Sequence, residues 1–141
     1  MKKIITASFL STLILLGGCA STDIYEPQGL TAKNMAFLKA DSEHAHGIFV
    51  GLDERLYINT INGQAAGDFF KGYPEQAKII AGFNEVKVDY YQGQLSSEGC
   101  VRFNAEPGET YIIRKKREGM SVYYWVEQEG TATSISQGCS A

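Results

Sequence analysis

The clearest capacity for chemistry in this chain lies in its two histidines, which are two positions apart. The segment Asp41-Ser42-Glu43-His44-Ala45-His46 places both imidazoles beside carboxylates. Imidazole and carboxylate ligands together suit zinc or copper, so His44 and His46 form a candidate metal site. Structural metal sites need about four ligands, and the chain has no third histidine. We therefore favour a solvated loop over metal binding for this segment.

The next candidates are Cys100 and Cys139, because the third cysteine, Cys19, directly follows an N-terminal leader and is the expected site of lipid attachment. An even pair in an exported chain predicts a disulfide, which the chain-entropy relation values at roughly 4 kcal/mol. Val101 and Phe103 alternate with polar residues, so Cys100 has the outward parity of its strand. We expect the bond near the rim of the fold rather than in its core. A redox or metal role for the pair lacks the CxxC spacing of such sites.

Catalytic arrangements find little support in the sequence. Nucleophilic catalysis requires a histidine that is held by a carboxylate and faces a hydroxyl or thiol. Both histidines lie in one polar segment, and a disulfide would remove the thiols. Neighbouring carboxylates such as Asp53 and Glu54 resemble turn residues, and no glycine-rich phosphate loop follows a strand. We predict a protein that is not an enzyme and that binds no cofactor.

Two groups of aromatic residues are candidate contact surfaces. Phe69, Phe70 and Tyr73 lie close together in a segment without strand alternation. Exposed, they would form a patch of the kind found at interfaces; buried, they would cap one end of the fold, which is the outcome we expect. Tyr123 and Trp125 form the second candidate, because strand alternation directs them away from the core.

The sequence Arg114-Lys115-Lys116-Arg117 is a cluster of basic residues. Such a cluster could contact lipid phosphates, because each Lys or Arg near an anionic bilayer contributes about 1 kcal/mol. We favour a solvated hairpin end whose charges keep an exposed edge strand from pairing with another chain.

At the N-terminus, two lysines precede an apolar run over residues 4–16. A spanning helix needs about 20 apolar residues, so this shorter run is typical of a signal peptide over residues 1–18. The sequence Leu16-Gly17-Gly18-Cys19 that closes the leader resembles the lipobox of bacterial lipoproteins. The resemblance implies a diacylglycerol and a further acyl chain on Cys19. Because Ala20 rather than Asp follows, it also implies sorting to the outer membrane.

Composition narrows the class of protein. Removal of the leader takes two of the 13 Lys and Arg and none of the 16 Asp and Glu, which leaves a net charge of −5. This negative net charge argues against nucleic-acid binding, because domains that bind nucleic acids are basic. Residues 19–34 are polar and interrupted by Pro27 and Gly29, as in a flexible tether. Residues 35–141 have the length of a single domain.

The residue composition and patterning of that domain are typical of β-strands throughout. In the clearest alternation, Val86, Val88 and Tyr90 share one face. One short helical turn is expected within residues 67–76. Short strands at regular spacing predict an antiparallel β-sandwich of about seven to nine strands. We predict strands at residues 35–39, 47–52, 55–61, 77–80, 84–91, 99–105, 110–115, 121–128 and 131–136.

Two stretches carry a family resemblance. The sequence Ile58-Asn59-Thr60-Ile61-Asn62-Gly63, followed by Ile79-Ile80-Ala81-Gly82-Phe83-Asn84-Glu85-Val86-Lys87-Val88, is similar to the PEGA-type pattern of turn and strand. Residues 100–111 resemble the F-x-A-x-x-G-x-x-Y hairpin of small proteobacterial lipoproteins. The resemblance implies an immunoglobulin-like or transthyretin-like sandwich without catalytic residues.

These observations predict a non-enzymatic lipoprotein, anchored through Cys19 on the periplasmic face of a bacterial outer membrane. We expect a binding or structural module whose partner is an envelope protein. One alternative is an inhibitor of a basic exogenous enzyme such as a lysozyme, since an acidic surface suits a basic target. The other is a metal-binding envelope protein acting through His44 and His46.

Overall fold

The computed structural model describes residues 24–44 and 53–139. Cys19, the predicted leader, His46 and the predicted strand at residues 47–52 lie outside the described residues. Nine strands and no helix occur in the described ranges. The strands are β1 (Met35–Ala40), β2 (Arg55–Ile61), β3 (Gln64–Ala65), β4 (Gln76–Ile80), β5 (Gly82–Gln92), β6 (Leu95–Ala105), β7 (Thr110–Glu118), β8 (Ser121–Gln128) and β9 (Gln137–Gly138).

The strands form two sheets, one of four strands in the order β4-β1-β7-β8 and one of five in the order β3-β2-β5-β6-β9. All ladders are antiparallel except that between β1 and β7, in which Phe37 pairs with Thr110 in parallel. The prediction of a disulfide-bonded all-β sandwich with seven to nine strands is confirmed.

One hydrophobic core joins the two sheets. Val86, Val88 and Tyr90 are fully buried, which confirms the face that the alternation predicted. A register shift between Ile58 and Thr60 lets β2 turn Leu56, Ile58 and Ile61 inward, although they are not evenly spaced. The remaining core members are Ala36, Leu38, Ala77, Ile79, Val101, Phe103, Ala105, Tyr111, Ile113 and Val126.

Two sequence-based expectations for secondary structure are wrong. No helical turn forms within residues 67–76, where Asp68 and Gly72 pair through their backbones instead. The strand expected at residues 131–136 is replaced by an isolated bridge from Ser134 to β8 and by β9, which begins three residues further on. This segment passes from the outer edge of one sheet to the outer edge of the other, so no continuous ladder can form along it.

The end of the sandwich where β4 passes into β5 is held by neutral hydrogen bonds, and we call it the amide end. Asn84 is fully buried there. Its Nδ2 donates to the carbonyl oxygens of Ile80 at 2.9 Å and Gly82 at 3.0 Å, and its Oδ1 accepts from Asn62 Nδ2 at 3.0 Å. At the connection between β6 and β7, the backbone N–H of Glu106 donates to the Tyr111 hydroxyl at 2.8 Å. These bonds fix two of the crossings between the sheets, from β4 to β5 and from β6 to β7.

The opposite end, which we call the charged end, is built on ion pairs. The side chain of Lys115 is only 2% exposed. Its Nζ donates to the carbonyl oxygen of Asp41 at 2.7 Å and lies 3.4 Å from Glu54 Oε2 and 3.8 Å from Glu43 Oε1. Glu43 and Glu54 also pair through their backbones. Lys115 therefore holds together two chain segments that meet beside β7.

The expectation of a solvated hairpin end holds for only part of the basic cluster. Lys116 and Arg117 are exposed near the β7–β8 turn, whereas Arg114 is partly buried and the side chain of Lys115 is buried. The pairing of β7 with β1 ends at Ile113, so the four basic residues pair with β8 alone. Arg114 binds Glu127 at 3.0 Å and Asp41 at 3.3 Å, and Lys116 binds Glu118 at 2.7 Å. Acidic groups pair with Arg114, Lys115 and Lys116, whereas Arg117 donates to the neutral Gln92 side chain and the Gly119 carbonyl.

The described part of the predicted tether, residues 24–34, lies against the four-stranded sheet. Tyr25 forms a parallel bridge with Ala77, and the N–H of Lys78 donates to the Tyr25 carbonyl at 2.8 Å. Lys78 also forms an ion pair with Glu26. Tyr25 packs against the core. The chain is therefore docked on the domain from Ile24 onward.

The Cys100–Cys139 disulfide joins β6 to the C-terminal segment, with 5.5 Å between the two Cα atoms. Cys100 pairs with Lys87 near the middle of the β5–β6 ladder and has the parity opposite to buried Val101. The bond therefore lies on the outer face of the five-stranded sheet, outside the core.

Candidate functional site

A cleft of about 730 Å³ opens where the start of β2 faces the start of β4 at one side of the sandwich. The chain segment that enters the fold forms one wall, and the connection between β3 and β4 forms another. The lining residues are Ile24, Tyr25, His44, Arg55, Tyr57, Ala66, Gly67, Lys71, Gly72, Tyr73, Pro74, Glu75 and Gln76.

The connection over residues 67–74, the aromatic loop, has a rigid tip. The N–H of Gly72 donates to the Asp68 carbonyl at 2.8 Å, and the Asp68 N–H donates back at 3.3 Å. The Oδ1 of Asp68 accepts from the backbone N–H groups of Phe70 and Lys71, each at 2.8 Å. The hydrogen bonds from Lys71 and Phe70 hold the pKa of the Asp68 carboxyl below its usual range. An ionised Asp68 thus orders the tip from within.

Gly67 is required where the two arms of the loop meet. A Cβ at this position would lie 2.1 Å from the Gly72 carbonyl oxygen and 2.8 Å from the Tyr73 Cα, both of which are backbone atoms. Gly72 has a φ of 79°, in the left-handed region that favours glycine. The arms therefore approach more closely than any side chain at position 67 would permit.

Phe69 and Phe70 project from the tip with 92% and 95% of their surface exposed. Their rings contact each other edge to face, with centroids 5.6 Å apart. The expectation that they would be buried is wrong, because the loop closes on its own backbone outside both sheets. Tyr73, at the base of the loop, is partly exposed and lines the cleft. An ordered loop thus presents two phenylalanines to the surroundings.

The floor of the cleft carries an ion-pair network. Arg55 donates to Glu75 Oε1 from Nε at 2.9 Å and from Nη2 at 2.6 Å, and its Nη1 donates to Asp53 Oδ2 at 3.3 Å. The Nε2 of His44 lies 3.1 Å from Glu75 Oε2. The Arg55 guanidinium also stands 5.4 Å from the centre of the Tyr57 ring. These contacts connect β2 to the start of β4, across the two sheets.

The ion-pair network shifts the pKa values of Glu75 and Arg55. Burial alone would raise the pKa of Glu75, but hydrogen bonds from Arg55 and His44 and the charge of Arg55 outweigh it, and the pKa lies below its usual range. Burial alone would lower the pKa of Arg55, but its bonds and charge interaction with Glu75 raise it. The two groups therefore neutralise each other. The hydroxyl of nearby Ser42 accepts from the Leu56 N–H at 2.8 Å and donates to the Leu56 carbonyl at 3.0 Å.

Of the two histidines predicted as metal ligands, the structure describes only His44. His44 contacts the carboxylate of Glu75, which Arg55 already occupies, and His46 lies outside the described residues. One trio in the described ranges could hold an ion by proximity alone, with Glu85, Cys100 and Cys139 offering atoms within 4.8 Å of one another. Its two sulfurs are bonded to each other, and Glu85 pairs with Arg102 at 2.7 Å.

The second aromatic candidate is separate from the cleft. Tyr123 and Trp125 lie on β8, and β4, beside the cleft, forms the opposite edge of the same sheet. Their outward parity is as predicted: Tyr123 is exposed, while Val122 and Tyr124 pack against the core. The Nε1 of Trp125 donates to Glu127 Oε1 at 2.8 Å, which anchors the indole to its own strand.

Sequence reasoning missed Arg55 and Glu75 as members of one site. They are 20 residues apart, and the close approach of β2 and β4 joins them. Pro74, whose carbonyl accepts from the Ile58 N–H at 2.8 Å, is the local feature that brings Glu75 beside β2.

Comparison with known proteins finds no matching family model, no similar curated protein and no similar solved structure. Within the part of the chain that the structure describes, no helix has the length and apolar character needed to cross a membrane.

Proposed function

We propose that this protein is a non-enzymatic binding module of the bacterial envelope, held by acyl chains on Cys19 at the periplasmic face of the outer membrane. Its contact surface is the aromatic loop together with the adjoining cleft. The observation that carries the proposal is the exposure of Phe69 and Phe70 on an ordered tip. Exposed apolar side chains grouped in this way mark interaction sites.

The chemistry of the cleft favours binding over catalysis. Arg55 and Glu75 are engaged with each other, and the hydroxyl of Ser42 is bound to the backbone of Leu56. A nucleophile would need a free hydroxyl or thiol beside its base. Tyr57 and Tyr73 instead offer rings beside polar groups, as binding clefts do.

The anchor is tested by Cys19→Ser in the full-length chain. We expect the variant to leave the membrane fraction or to accumulate as a precursor, because three acyl chains are lost and stable anchoring needs about two lipid signals. Ser21→Ala, which leaves the lipobox intact, is the matched control. Unchanged sedimentation of the variant, with no acyl mass on the wild-type protein, would refute the anchor.

The contact surface is tested by photo-crosslinking in intact cells. A photoreactive phenylalanine analogue is placed at Tyr73 in the cleft and, as a control, at Tyr123 on the opposite edge of the four-stranded sheet. We expect adducts with envelope components to form mainly from position 73. Equal yields from both positions, or adducts from position 123 alone, would contradict the proposed surface.

One observation favours the second candidate, inhibition of a basic exogenous enzyme such as a lysozyme. Asp89 and Glu98 lie directly opposite each other in the β5–β6 ladder, on its outward parity, and like charges in this position destabilise a sheet. A cationic partner would relieve the repulsion. In a lysis assay with a basic muramidase, inhibition that is lost in Asp89→Asn/Glu98→Gln but kept in Glu106→Gln would support this function.

A further inference from the structure

The chain enters the fold beside the aromatic loop. Ile24 and Tyr25 line the same cleft as Lys71 and Gly72 of the loop. The bridge from Tyr25 to Ala77 fixes this entry point on the edge strand β4. The start of the docked chain and the loop therefore share one side of the molecule.

The distance from this entry point to the proposed anchor is short. Cys19 precedes Ile24 by five residues. An extended chain spans at most about 3.6 Å per residue, so the two positions can be no more than roughly 18 Å apart. Acyl chains on Cys19 would hold the cleft side of the domain close to the bilayer surface.

The loop has the chemistry of a segment that meets a bilayer interface. Phenylalanine is among the apolar residues with which interfacial segments enter the boundary between headgroups and acyl chains. Lys71, next to Phe70, can bury its stem while its ammonium contacts lipid phosphate. The Asp68–Gly72 hydrogen bonds satisfy backbone groups at the base of the tip. Backbone groups left without partners would oppose entry into an apolar medium. The Asp68 carboxylate accepts bonds from within the loop.

We propose that the aromatic loop inserts Phe69 and Phe70 into the interfacial region of the bilayer that carries the Cys19 anchor. This inference rests on the anchor given under the proposed function. The short connection to Cys19 favours the bilayer over a protein partner as the occupant. The domain is then held at two points, and the cleft opens toward the membrane surface.

The test uses the full-length, acylated protein in vesicles of phosphatidylethanolamine and phosphatidylglycerol, with a set of lipids brominated at defined depths of the acyl chain. Trp125→Phe removes the native tryptophan, and Phe70→Trp introduces a reporter at the tip. Phe83→Trp is the matched control, because Phe83 is also an exposed phenylalanine but lies at the amide end, at the start of β5. We expect a blue shift and loss of most of the emission for Phe70→Trp with shallow bromines, and neither change for Phe83→Trp.

Phe69→Trp should repeat the result, because both rings are exposed and their replacement disturbs no packing against the core. Quenching no stronger for the loop reporters than for Phe83→Trp would overturn the inference. So would a loop reporter that stays unquenched in vesicles but becomes shielded from aqueous iodide in native envelopes, which would identify a protein occupant. Mass spectrometry separates the two failures: a chain without acyl groups refutes the anchor, whereas an acylated chain with an unquenched loop refutes the insertion alone.

Discussion

The two ends of the sandwich are held by different kinds of interaction. At the amide end, Asn62, Asn84 and the Tyr111 hydroxyl make neutral hydrogen bonds around short connections between the sheets. At the charged end, Lys115 and Arg55 bind carboxylates from distant parts of the chain. Neutral bonds to the backbone are indifferent to pH near neutrality, whereas ion pairs depend on the charge of both partners.

The difference indicates that the two ends have different roles, one in stability and the other in binding. The amide end has tight crossings and a buried polar side chain without a titrating group, so it serves to fix the fold. The cleft lies toward the charged end, where long side chains meet at a partly exposed surface. The part of the molecule that we assign to binding is thus the part whose stability responds to the surrounding solution.

The largest expected effect comes from the disulfide, which lies between the two ends. Replacing both cysteines, Cys100→Ser with Cys139→Ser, should lower the free energy of unfolding by about 4 kcal/mol, because the unfolded chain regains the entropy of the closed loop. Urea denaturation against the wild-type protein measures the loss. Far-UV circular dichroism should change little, since β9 contributes only two residues to the sheet. Two free thiols in the untreated protein would disprove the bond.

At the amide end, Asn84→Ala should cost about 3 kcal/mol, because it removes three hydrogen bonds at a fully buried position, to the carbonyl groups of Ile80 and Gly82 and from the Asn62 amide. The loss should be the same at pH 5 and pH 8, since no titrating group takes part. Asn104→Ala, at an exposed position of β6, is the control and should unfold like the wild-type protein. Equal stability of the two variants would show that the amide network does not hold this end.

At the charged end, Lys115→Met keeps the apolar stem but removes the ammonium between Glu43 and Glu54. We expect a loss of about 2 kcal/mol in the free energy of unfolding, less than for a fully buried pair because Glu43 is largely exposed. Lys116→Met changes the adjacent residue, whose side chain is 65% exposed, and should have little effect. A similar loss in both variants would mean that burial of Lys115 is unimportant.

The smallest effect concerns pH. Because the pKa of Glu75 lies below its usual value of 4.5, its ion pair stabilises the fold above about pH 4.5. This contribution disappears as the pH falls through the lower pKa of the folded state. Glu75→Gln should therefore be less stable than the wild-type protein by about 1 kcal/mol or less at pH 7, and the difference should shrink below pH 4.5. Thermal unfolding from pH 3 to pH 7 provides the measurement, and a constant difference would refute the assignment.

The sequence predicted the buried faces of the long strands but not the contacts between residues that are distant along the chain. Alternation identified the buried faces of β5 and β6 because a strand that packs on one side repeats every two residues. The connection between the strands predicted at residues 99–105 and 110–115 is also present, although the structure shows that it joins strands of different sheets. The Arg55–Glu75 pair and burial of Lys115 were not predictable, because they depend on which strands lie side by side. Exposure of Phe69 and Phe70 depends on the Gly67 closure, which brings together two arms that the sequence does not show to be in contact.

The parallel pairing of β1 with β7 has a consequence for folding kinetics. β5 with β6 and β7 with β8 are hairpins of neighbouring strands, which can close early because little chain must be ordered between them. The four-stranded sheet is complete only when Phe37 meets Thr110, which lies 73 residues further along the chain. Closing so long a segment carries a large entropic cost before any contact is gained, so we expect this ladder to form late. During synthesis, the edge of β1 that faces β7 therefore stays unpaired until β7 has emerged, although β4 can already pair with its other edge.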